Sequence, residues 1–298
     1  MDQTREDMPE GTMYVEKAGG VGRVVLNLPE SHNPMSEAFR NDMEAALTIM
    51  RNDTAISAVI LKANGRGTTA GGDLNFVAAN FGGERHHDRQ TCLRLARWFY
   101  RVLWQFPKPL IFQVHGFLLG GSLAIAATAD MMIVAEDARI GIPEARALGF
   151  EPLLGFWAMN IGARWTKLLL YTGDLIDGRK AEEIGMATKA VPAAELETYT
   201  EWLAKRIAAV GWETLSIQKE AVNSAFEIMG FEAMMKSTAI YNHLSHGTAR
   251  AQEFRRRLRS EGIRAAADWR DEPFGGRTRM TGDSLPLLDG PRRDTQPI

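Results

Sequence analysis

Three short apolar runs constrain the fold of this chain more than any other feature of its sequence. They have the length of β-strands and lie at Ser57–Lys62, Leu110–Val114 and Met131–Ala135. An apolar strand of this kind has both faces covered, which is typical of the sheet in an α/β protein. Helical patterns alternate with these runs, at 36–51, Thr91–Phe106 and Gly121–Ala129. The alternation predicts βα units around a largely parallel sheet.

The strand signals stop near residue 195, and four consecutive helical patterns follow at Glu195–Val210, Thr214–Met229, Phe231–Leu244 and Thr248–Arg259. The first residues have no apolar period, and the last are rich in glycine, proline and charge. We therefore expect four parts in the chain: a flexible lead at 1–11, an α/β core at 12–194, a helical region at 195–270 and a flexible tail at 271–298.

The composition excludes several classes of protein. The chain has 298 residues and a net charge of −2, which gives no overall attraction to nucleic acid or to an anionic membrane. Its single cysteine, Cys92, excludes an internal disulfide framework and any site with several cysteine ligands. No apolar run approaches the roughly 18 residues of a membrane span. The polar N-terminus has no apolar targeting segment. We expect a cytoplasmic protein.

Two glycine-rich junctions each follow a predicted strand, at Asn64–Leu74 and Val114–Ala124. Glycines let backbone amides approach a ligand without interference from Cβ atoms. The spacing fits neither a dinucleotide fingerprint nor a P-loop. Two such junctions could each direct one amide at a single carbonyl oxygen, which suits a thioester that becomes an enolate. Tight turns that let the small helix after Gly121 pack closely would give the same pattern.

Glu144 follows Pro143 in an otherwise apolar stretch. Partial desolvation of a carboxylate raises its pKa and favours proton transfer near neutral pH. The alternative is a first-turn glutamate that stabilises a helix N-terminus beside the proline.

Taken in order, several segments resemble the enoyl-CoA hydratase/isomerase (crotonase) superfamily over about residues 12–265. The segments are Leu28-Pro29-Glu30 with Asn33, 70–74 (AGGDL), His115-Gly116 with Gly120-Gly121, Ala129-Asp130, Gly141 with Pro143-Glu144, and 170–174 (LYTGD). The resemblance implies a crotonase-like ββα spiral core with a C-terminal helical trimerisation region. It also implies a homotrimer or homohexamer, an acyl-CoA thioester substrate, and no metal or further cofactor, since coenzyme A belongs to the substrate.

The resemblance assigns roles to individual residues. The amides of Gly72 and Gly121 would form the oxyanion hole, and Glu144 would be the acid/base. Residues implied to bind the substrate are Ala70, Asp73, Leu74, and His32 near the 3′-phosphate of coenzyme A. Phe117 lies next to the second junction and could line the acyl site, although aromatic residues of this kind usually belong to the core.

The sequence departs from the hydratase pattern at Ala124, where the first of two catalytic glutamates would stand. Alanine transfers no proton, so three alternatives stay open. The first is hydration or isomerisation with Glu144 alone. The second is a hydratase-lyase that cleaves an aromatic or bulky acyl-CoA, and the third is a non-catalytic acyl-CoA-binding homologue. Glu151 is a candidate second acid, or it caps the following helix.

Two further features leave alternatives open. The basic run from Arg250 to Arg259 could be a solvated helix face, a contact for coenzyme A phosphates, or a nucleic-acid surface. The net charge of −2 and the lack of interleaved aromatic residues argue against nucleic acid. His86 and His87 lie in a predicted loop, where they would be exposed or would reach the acyl group.

Overall fold

The computed structural model describes residues 4–74, 76–77, 85–150 and 154–275. Within these ranges the strands are β1 (Thr4–Asp7), β2 (Met13–Ala18), β3 (Val21–Leu26), β4 (Ala58–Ala63), β5 (Leu110–Val114), β6 (Phe117–Leu119), β7 (Met131–Ala135), β8 (Arg139–Gly141), β9 (Leu175–Ile176) and β10 (Lys189–Val191).

Helices are interspersed with the strands up to β10, and every described element after β10 is helical. They are α1 (Glu37–Asn52), α2 (Arg85–Trp98), α3 (Leu123–Thr128), α4 (Leu154–Asn160), α5 (Gly162–Thr172), α6 (Gly178–Glu183), α7 (Leu196–Ala208), α8 (Trp212–Ile228), α9 (Phe231–His246) and α10 (Ala249–Asp271). A π-helical turn at Phe99–Trp104 continues α2, and a 3₁₀ turn at Pro143–Arg146 follows β8.

The main sheet has seven strands in the order β1-β2-β3-β4-β5-β7-β10. The pairs from β3 to β10 are parallel, and β1 and β2 are joined antiparallel at one edge. The three apolar runs of the sequence form β4, β5 and β7 in the middle of the sheet, where their apolar side chains are buried except for the half-buried Met131. The α/β class with a mainly parallel sheet and a helical C-terminal region is therefore confirmed.

Helix α1 shows how local sequence sets an element boundary. Ser36 lies at the N-cap, and its Oγ accepts a hydrogen bond of 3.1 Å from the amide of Phe39. Apolar residues at helical spacing then face the sheet and are buried: Phe39, Met43, Ala46, Leu47 and Met50. The predicted helix over 36–51 is confirmed.

Residues 4–11 are more ordered than the flexible lead expected at 1–11, of which 1–3 lie outside the described residues. Strand β1 pairs with β2 along its whole length, and Met8 is buried after it. The buried carboxylate of Asp42 accepts hydrogen bonds from the amide and hydroxyl of Thr12 at 2.8 and 2.7 Å. An edge strand is held by backbone hydrogen bonds, so the polar sequence of β1 carries no apolar period that would reveal it.

At the other end, α7 to α10 occupy the predicted helical region 195–270. The expectation of a flexible tail from residue 271 is wrong at its first residues. Asp271 is fully buried and ends α10, and a 3₁₀ turn continues over Glu272–Phe274. No sequence pattern indicates this, because the burial of Asp271 depends on a distant arginine, described below. The remainder of that prediction, 276–298, lies outside the described residues.

In the part of the chain described here, none of the helices combines the length and the apolar character needed to cross a membrane.

A smaller sheet of three strands, β6-β8-β9, lies beyond the end of β5. Strand β6 is parallel to β8, and β8 is antiparallel to β9. This small sheet carries the second glycine-rich junction at the end of β6 and the Glu144 turn at the end of β8. Because the two strands are parallel neighbours, both functional segments leave the sheet at the same edge.

Candidate active site

The two glycine-rich junctions lie against each other. Thr69 forms an isolated parallel bridge with Leu118, and the Leu119 amide donates a 3.2 Å hydrogen bond to the carbonyl of Thr69. Gly71 has a φ of +98°, and a Cβ there would lie 2.5 Å from the carbonyl oxygen of Leu119. Only glycine allows this approach. The predicted proximity of the two junctions, which are almost 50 residues apart, is therefore confirmed.

Gly72 presents its backbone on the open side of this contact. A Cβ at Gly72 would meet no atom within 4 Å, and the residue is exposed. Gly72 forms an isolated β-bridge with Met35, and the hydrogen bonds of this bridge involve the residues on either side of Gly72. The Met35 amide donates to the Gly71 carbonyl at 2.9 Å, and the Asp73 amide donates to the Met35 carbonyl at 3.5 Å. Among the described residues, no acceptor is found for the amide of Gly72 itself.

Asn33 fastens the first junction to the start of the chain. Its Oδ1 accepts from the Leu28 amide at 2.8 Å, and its Nδ2 donates to the carbonyls of Asn64 and Thr68, both at 3.0 Å. The side chain is buried, and the backbone has a φ of +50°. Asn33 thus shapes the loop that carries Gly72, a role that the sequence pattern did not reveal.

His32 lies beside Arg66, a residue that no sequence motif indicates. Arg66 Nη2 lies 2.9 Å from His32 Nε2, so the guanidinium donates to this nitrogen and the ring proton belongs on Nδ1. The imidazole also meets the ring of Phe117 edge-on at 5.7 Å. His32 therefore holds Arg66 at the protein surface, where a phosphate could reach the arginine.

Phe117 does not lie where a substrate could touch it. Its side chain is 1% exposed and packs with Leu119 and Leu175, and Ala70 covers this cluster. A Cβ at Gly67 would lie 2.4 Å from the ring, so the absent side chain of Gly67 makes the space that Phe117 fills. The expectation that Phe117 lines the acyl site is wrong, because its side of β6 faces this small core.

The residues after Gly72 connect the first junction to the segment that follows Glu144. Leu74 is half-buried against a cluster that contains Ala147, Leu148, Phe254 and Ala266. Asp73 precedes it and is also half-buried. Leu74 therefore contacts both the segment after Glu144 and α10.

Glu144 lies directly beside the second junction. It is the second residue of the 3₁₀ turn Pro143–Arg146, in which the proline occupies the first turn. A Cβ at Gly120, whose φ is +65°, would lie 2.4 Å from Glu144 Oε1 and 2.8 Å from Oε2. The structure therefore brings the candidate base into contact with the loop that carries Gly121.

Burial of its carboxyl group raises the pKa of Glu144 to about 7. Its own amide, the charge of Arg270 and the amide of Gly121 oppose this rise, because each stabilises the ionised form. Part of the residue's surface still reaches solvent, although protein atoms surround the carboxylate. A group with this pKa can both accept and return a proton near neutral pH.

Ala124 stands where the other hydratase glutamate would be, and the residues around it are apolar. Ala124 is fully buried within α3 and belongs to the main hydrophobic core. A carboxylate there would have to displace core side chains. Glu151, the other candidate acid, lies outside the described residues.

The basic run from Arg250 to Arg259 does not form one positive face. Arg255 is buried and donates to the His246 carbonyl at 2.6 Å. Arg256 and Arg257 form ion pairs with glutamates of the same helix, Glu253 and Glu261. The solvated-face interpretation applies to these two arginines.

His86 and His87 are exposed on α2 and not on a loop. In the described ranges, no three histidine, cysteine or acidic side chains gather closely enough to hold a metal ion.

Comparison with known proteins places this geometry in context. Residues 16–277 match the family described as enoyl-CoA hydratase/isomerase. A Dictyostelium discoideum protein named "Probable enoyl-CoA hydratase, mitochondrial" is 30% identical over 240 residues, which are 80% of this chain and 84% of that protein. A Pseudomonas fluorescens hydroxycinnamoyl-CoA hydratase-lyase is 30% identical over 201 residues, 66% of this chain and 72% of the other.

Among solved structures, an enoyl-CoA hydratase from Mycobacterium smegmatis aligns with a TM-score of 0.82 and 31% identity. The alignment covers 89% of this chain and 94% of that one.

Proposed function

The chain belongs to the enoyl-CoA hydratase/isomerase family, and we propose that it is an enzyme that uses Glu144 as acid and base on an enoyl-CoA thioester. One observation carries the proposal: the buried Glu144 carboxylate, with a pKa of about 7, lies against the loop of Gly120 and Gly121. A glutamate that only stabilises a helix N-terminus does so in its ionised form, whereas burial of Glu144 disfavours ionisation.

In the proposed mechanism, the amides of Gly72 and Gly121 stabilise the thioester oxygen as it gains negative charge. Loss of one such donor typically costs about 10²–10³ in rate. The Gly121 amide now stabilises the Glu144 carboxylate. When the thioester oxygen takes this donor, the carboxylate loses a hydrogen bond, and its basicity rises at the moment when it must accept a proton.

A single carboxylate is sufficient for either of two reactions. In hydration, Glu144 accepts a proton from the water whose oxygen bonds to the β-carbon, and the same proton then passes to the α-carbon of the enolate. In isomerisation, Glu144 removes a proton from one carbon of the dienolate system and returns it to another. Both sequences end with Glu144 in its starting state.

The second candidate is hydration followed by carbon–carbon cleavage of a bulky or aromatic acyl-CoA. Ala124 supports it, because cleavage after hydration again needs one base at the Glu144 position. The base removes the proton of the β-hydroxyl, the Cα–Cβ bond breaks to release an aldehyde, and the enolate of the shortened thioester takes up a proton. The similarity to a hydroxycinnamoyl-CoA hydratase-lyase supports the same candidate.

Coenzyme A is part of the substrate in this proposal, and Arg66 is the residue that we assign to its 3′-phosphate. His32 serves indirectly, since its Nε2 accepts from Arg66 and fixes the guanidinium. Arginine suits this role because its planar fork pairs well with phosphate oxygens.

We further propose that the chain forms a homotrimer or homohexamer. Helix α8 supports this, because Leu215 is the one residue of its 17 that is buried. Large apolar side chains on and just after the helix are exposed, namely Ile217, Val222, Ile228 and Met229. Several large apolar side chains exposed on one element favour a protein interface. Light scattering coupled to gel filtration would measure the oligomeric state.

A thioester panel tests the proposed reaction. The chain is incubated with 2-enoyl-, 3-enoyl- and cinnamoyl-CoA thioesters, and the products identify hydration, isomerisation or cleavage. Glu144→Gln should abolish turnover while thioester binding persists. The matched control is Glu232→Gln, an exposed glutamate of α9 that should leave turnover unchanged. Wild-type activity in Glu144→Gln would overturn the assignment, and binding without turnover by the wild type would favour the non-catalytic homologue.

A further inference from the structure

The turn that carries Glu144 is held by a buried arginine two residues further on. Arg146 Nη2 lies 2.6 Å from Asp174 Oδ1, Nη1 lies 3.1 Å from Asp271 Oδ1, and Nε donates to the Thr172 carbonyl at 2.8 Å. The side chains of the two aspartates and of Arg146 are 7%, 0% and 3% exposed. Three separate parts of the chain therefore meet at the Glu144 turn.

Asp271, the last residue of α10, is shared between two arginines. Besides the contact with Arg146, its two carboxylate oxygens each lie 2.8 Å from Arg270, one from Nε and the other from Nη2. This bidentate geometry fixes the plane of the Arg270 guanidinium. Asp271 thus links the arginine of the Glu144 turn to the arginine whose charge acts on Glu144.

A second arginine of α10 joins the same two segments through the backbone. Arg250 Nε donates to the carbonyl of Arg146 at 2.6 Å, and its Nη2 donates to the carbonyl of Arg270 at 3.0 Å. The two ends of α10 can approach in this way because the helix breaks at Gly262, where φ is +87° and ψ is 171°. Beyond the break, Ala266 packs with Ala147 and Leu148.

We propose that Asp271 is a positioning residue for Glu144, and that the C-terminal end of α10 is part of the active site. Asp271 holds the turn through Arg146 and fixes the guanidinium of Arg270, whose charge acts on the carboxylate. This inference rests on the proposed role of Glu144 as the acid/base. It goes beyond that role because it assigns a function to a segment 127 residues away in the sequence.

The charges around Glu144 support a role in positioning. Arg146, on the same turn, is neutralised by Asp174 and Asp271, and Arg250 is bound to carbonyl groups. Among the described residues, Arg270 is the charged side chain that lowers the pKa of Glu144. Buried ion pairs are weak sources of stability, because desolvation offsets their attraction. An ion-pair network buried beside a proton-transfer group therefore serves better to fix geometry than to add stability.

The test combines four variants with two measurements. Asp271→Asn removes the carboxylate that the two arginines share. Arg270→Gln removes the positive charge that acts on Glu144, and Arg270→Lys keeps that charge. Glu201→Gln is the control, since it breaks an ion pair with Arg23 that belongs to β3 and α7. The Glu144 carboxyl is titrated by infrared difference spectroscopy, with Glu144→Gln identifying its band. The kcat and KM values are measured on the thioester that the wild type turns over.

The expected pKa shifts have opposite signs. Asp271→Asn should lower the pKa of Glu144, because the remaining amide oxygen still accepts from Arg270 and keeps the guanidinium in place but no longer neutralises its positive charge. Arg270→Gln should raise that pKa, and Arg270→Lys should leave it close to the wild-type value. In Asp271→Asn, kcat should fall about tenfold to a hundredfold from misplacement of the base, with KM and the control variant unchanged.

A merely structural role gives a different result. Loosening of the turn admits water, which would lower the Glu144 pKa in Asp271→Asn and Arg270→Gln alike. The proposal would be overturned if the Glu144 pKa shifted in the same direction in Asp271→Asn and Arg270→Gln. It would also be overturned if Asp271→Asn lowered the melting temperature but left the Glu144 pKa and kcat unchanged. If Asp271→Asn does not fold, the comparison of Arg270→Gln with Arg270→Lys decides.

Failure of the proposed function is distinguishable from failure of the positioning role. The proposed function fails if Glu144→Gln turns over substrate at the wild-type rate, or if the wild-type protein has no turnover. In both cases the infrared titration would still report on the link between α10 and Glu144.

Discussion

The backbone amide of Gly121 stabilises the ionised carboxylate of Glu144, and burial of the same carboxyl group opposes ionisation. One group of the proposed oxyanion hole and the proposed base are therefore coupled before any substrate binds. The coupling ties the binding of a thioester carbonyl to the basicity of the group that must move a proton.

This coupling predicts different pH dependences for two kinetic parameters. The profile of kcat/KM reports the free enzyme, so its acidic limb should have a midpoint near pH 7, the pKa of Glu144. The profile of kcat reports the enzyme–substrate complex, in which the thioester oxygen has taken the Gly121 amide. Its acidic limb should therefore lie at higher pH. Steady-state rates across pH on one thioester give both values, and an acidic limb of kcat below that of kcat/KM would contradict the coupling.

The raised pKa of Glu144 also predicts a stability change with a definite sign. Its folded-state value of about 7 exceeds the ordinary value of 4.5, so the folded state favours the protonated form. Wild-type stability should fall as pH rises between these two values, and Glu144→Gln should not share this loss. The variant should be more stable by up to about 3 kcal/mol at pH 8, with no difference below pH 4. Urea unfolding at both pH values measures it, and equal stability at pH 8 would contradict the raised pKa.

Gly120→Ala should strongly reduce activity, because the new methyl group would contact Glu144 directly. A methyl group there would lie 2.4 Å from Glu144 Oε1, so the carboxylate must move. We expect a loss in kcat of about a hundredfold or more. Gly230→Ala is the matched control, since Gly230 also has a positive φ, +93°, with nothing within 4 Å of a new Cβ. Both variants carry backbone strain of about 1–2 kcal/mol, so a comparable loss of kcat in Gly230→Ala would show that strain is responsible.

Arg66→Ala should weaken binding of the substrate without slowing its chemistry. An exposed guanidinium that contacts phosphate is worth about 1.5 kcal/mol, so KM should rise about tenfold while kcat stays constant. The same variant should show no change in KM with an acyl-3′-dephospho-CoA substrate. Arg179→Ala, which alters an exposed arginine paired with Glu136, is the control. An equal effect of Arg66→Ala on both substrates would place the contact elsewhere.

The sequence predicted the features that depend on local pattern. Strands β4, β5 and β7 could be predicted because apolar runs of strand length are buried on both faces, and α1 because Ser36 and the apolar spacing define it. The contact between the two glycine-rich junctions was also predictable, since both follow neighbouring strands. Their glycines are needed where backbones approach closely, as at Gly71.

The features that escaped prediction depend on partners far away in the chain. Arg146 reads as an ordinary charged residue until Asp271, 125 positions later, is placed beside it. Phe117 is an aromatic residue next to the second junction, and only the space above Gly67 shows that the ring is buried. Strand β1 is polar because its partners are backbone groups, and no side-chain pattern records them.

Hydrogen exchange at the substrate α-carbon tests the role of Glu144 most directly, because hydration, isomerisation and cleavage each pass through a thioester enolate that gains or loses a proton at a carbon atom. A saturated acyl-CoA is incubated with the protein in D₂O, and replacement of its α-protons is followed by NMR. We predict exchange with the wild-type chain and none above background with Glu144→Gln. Equal exchange by both proteins, or none by the wild type, would contradict the assignment of Glu144 as the group that moves the proton.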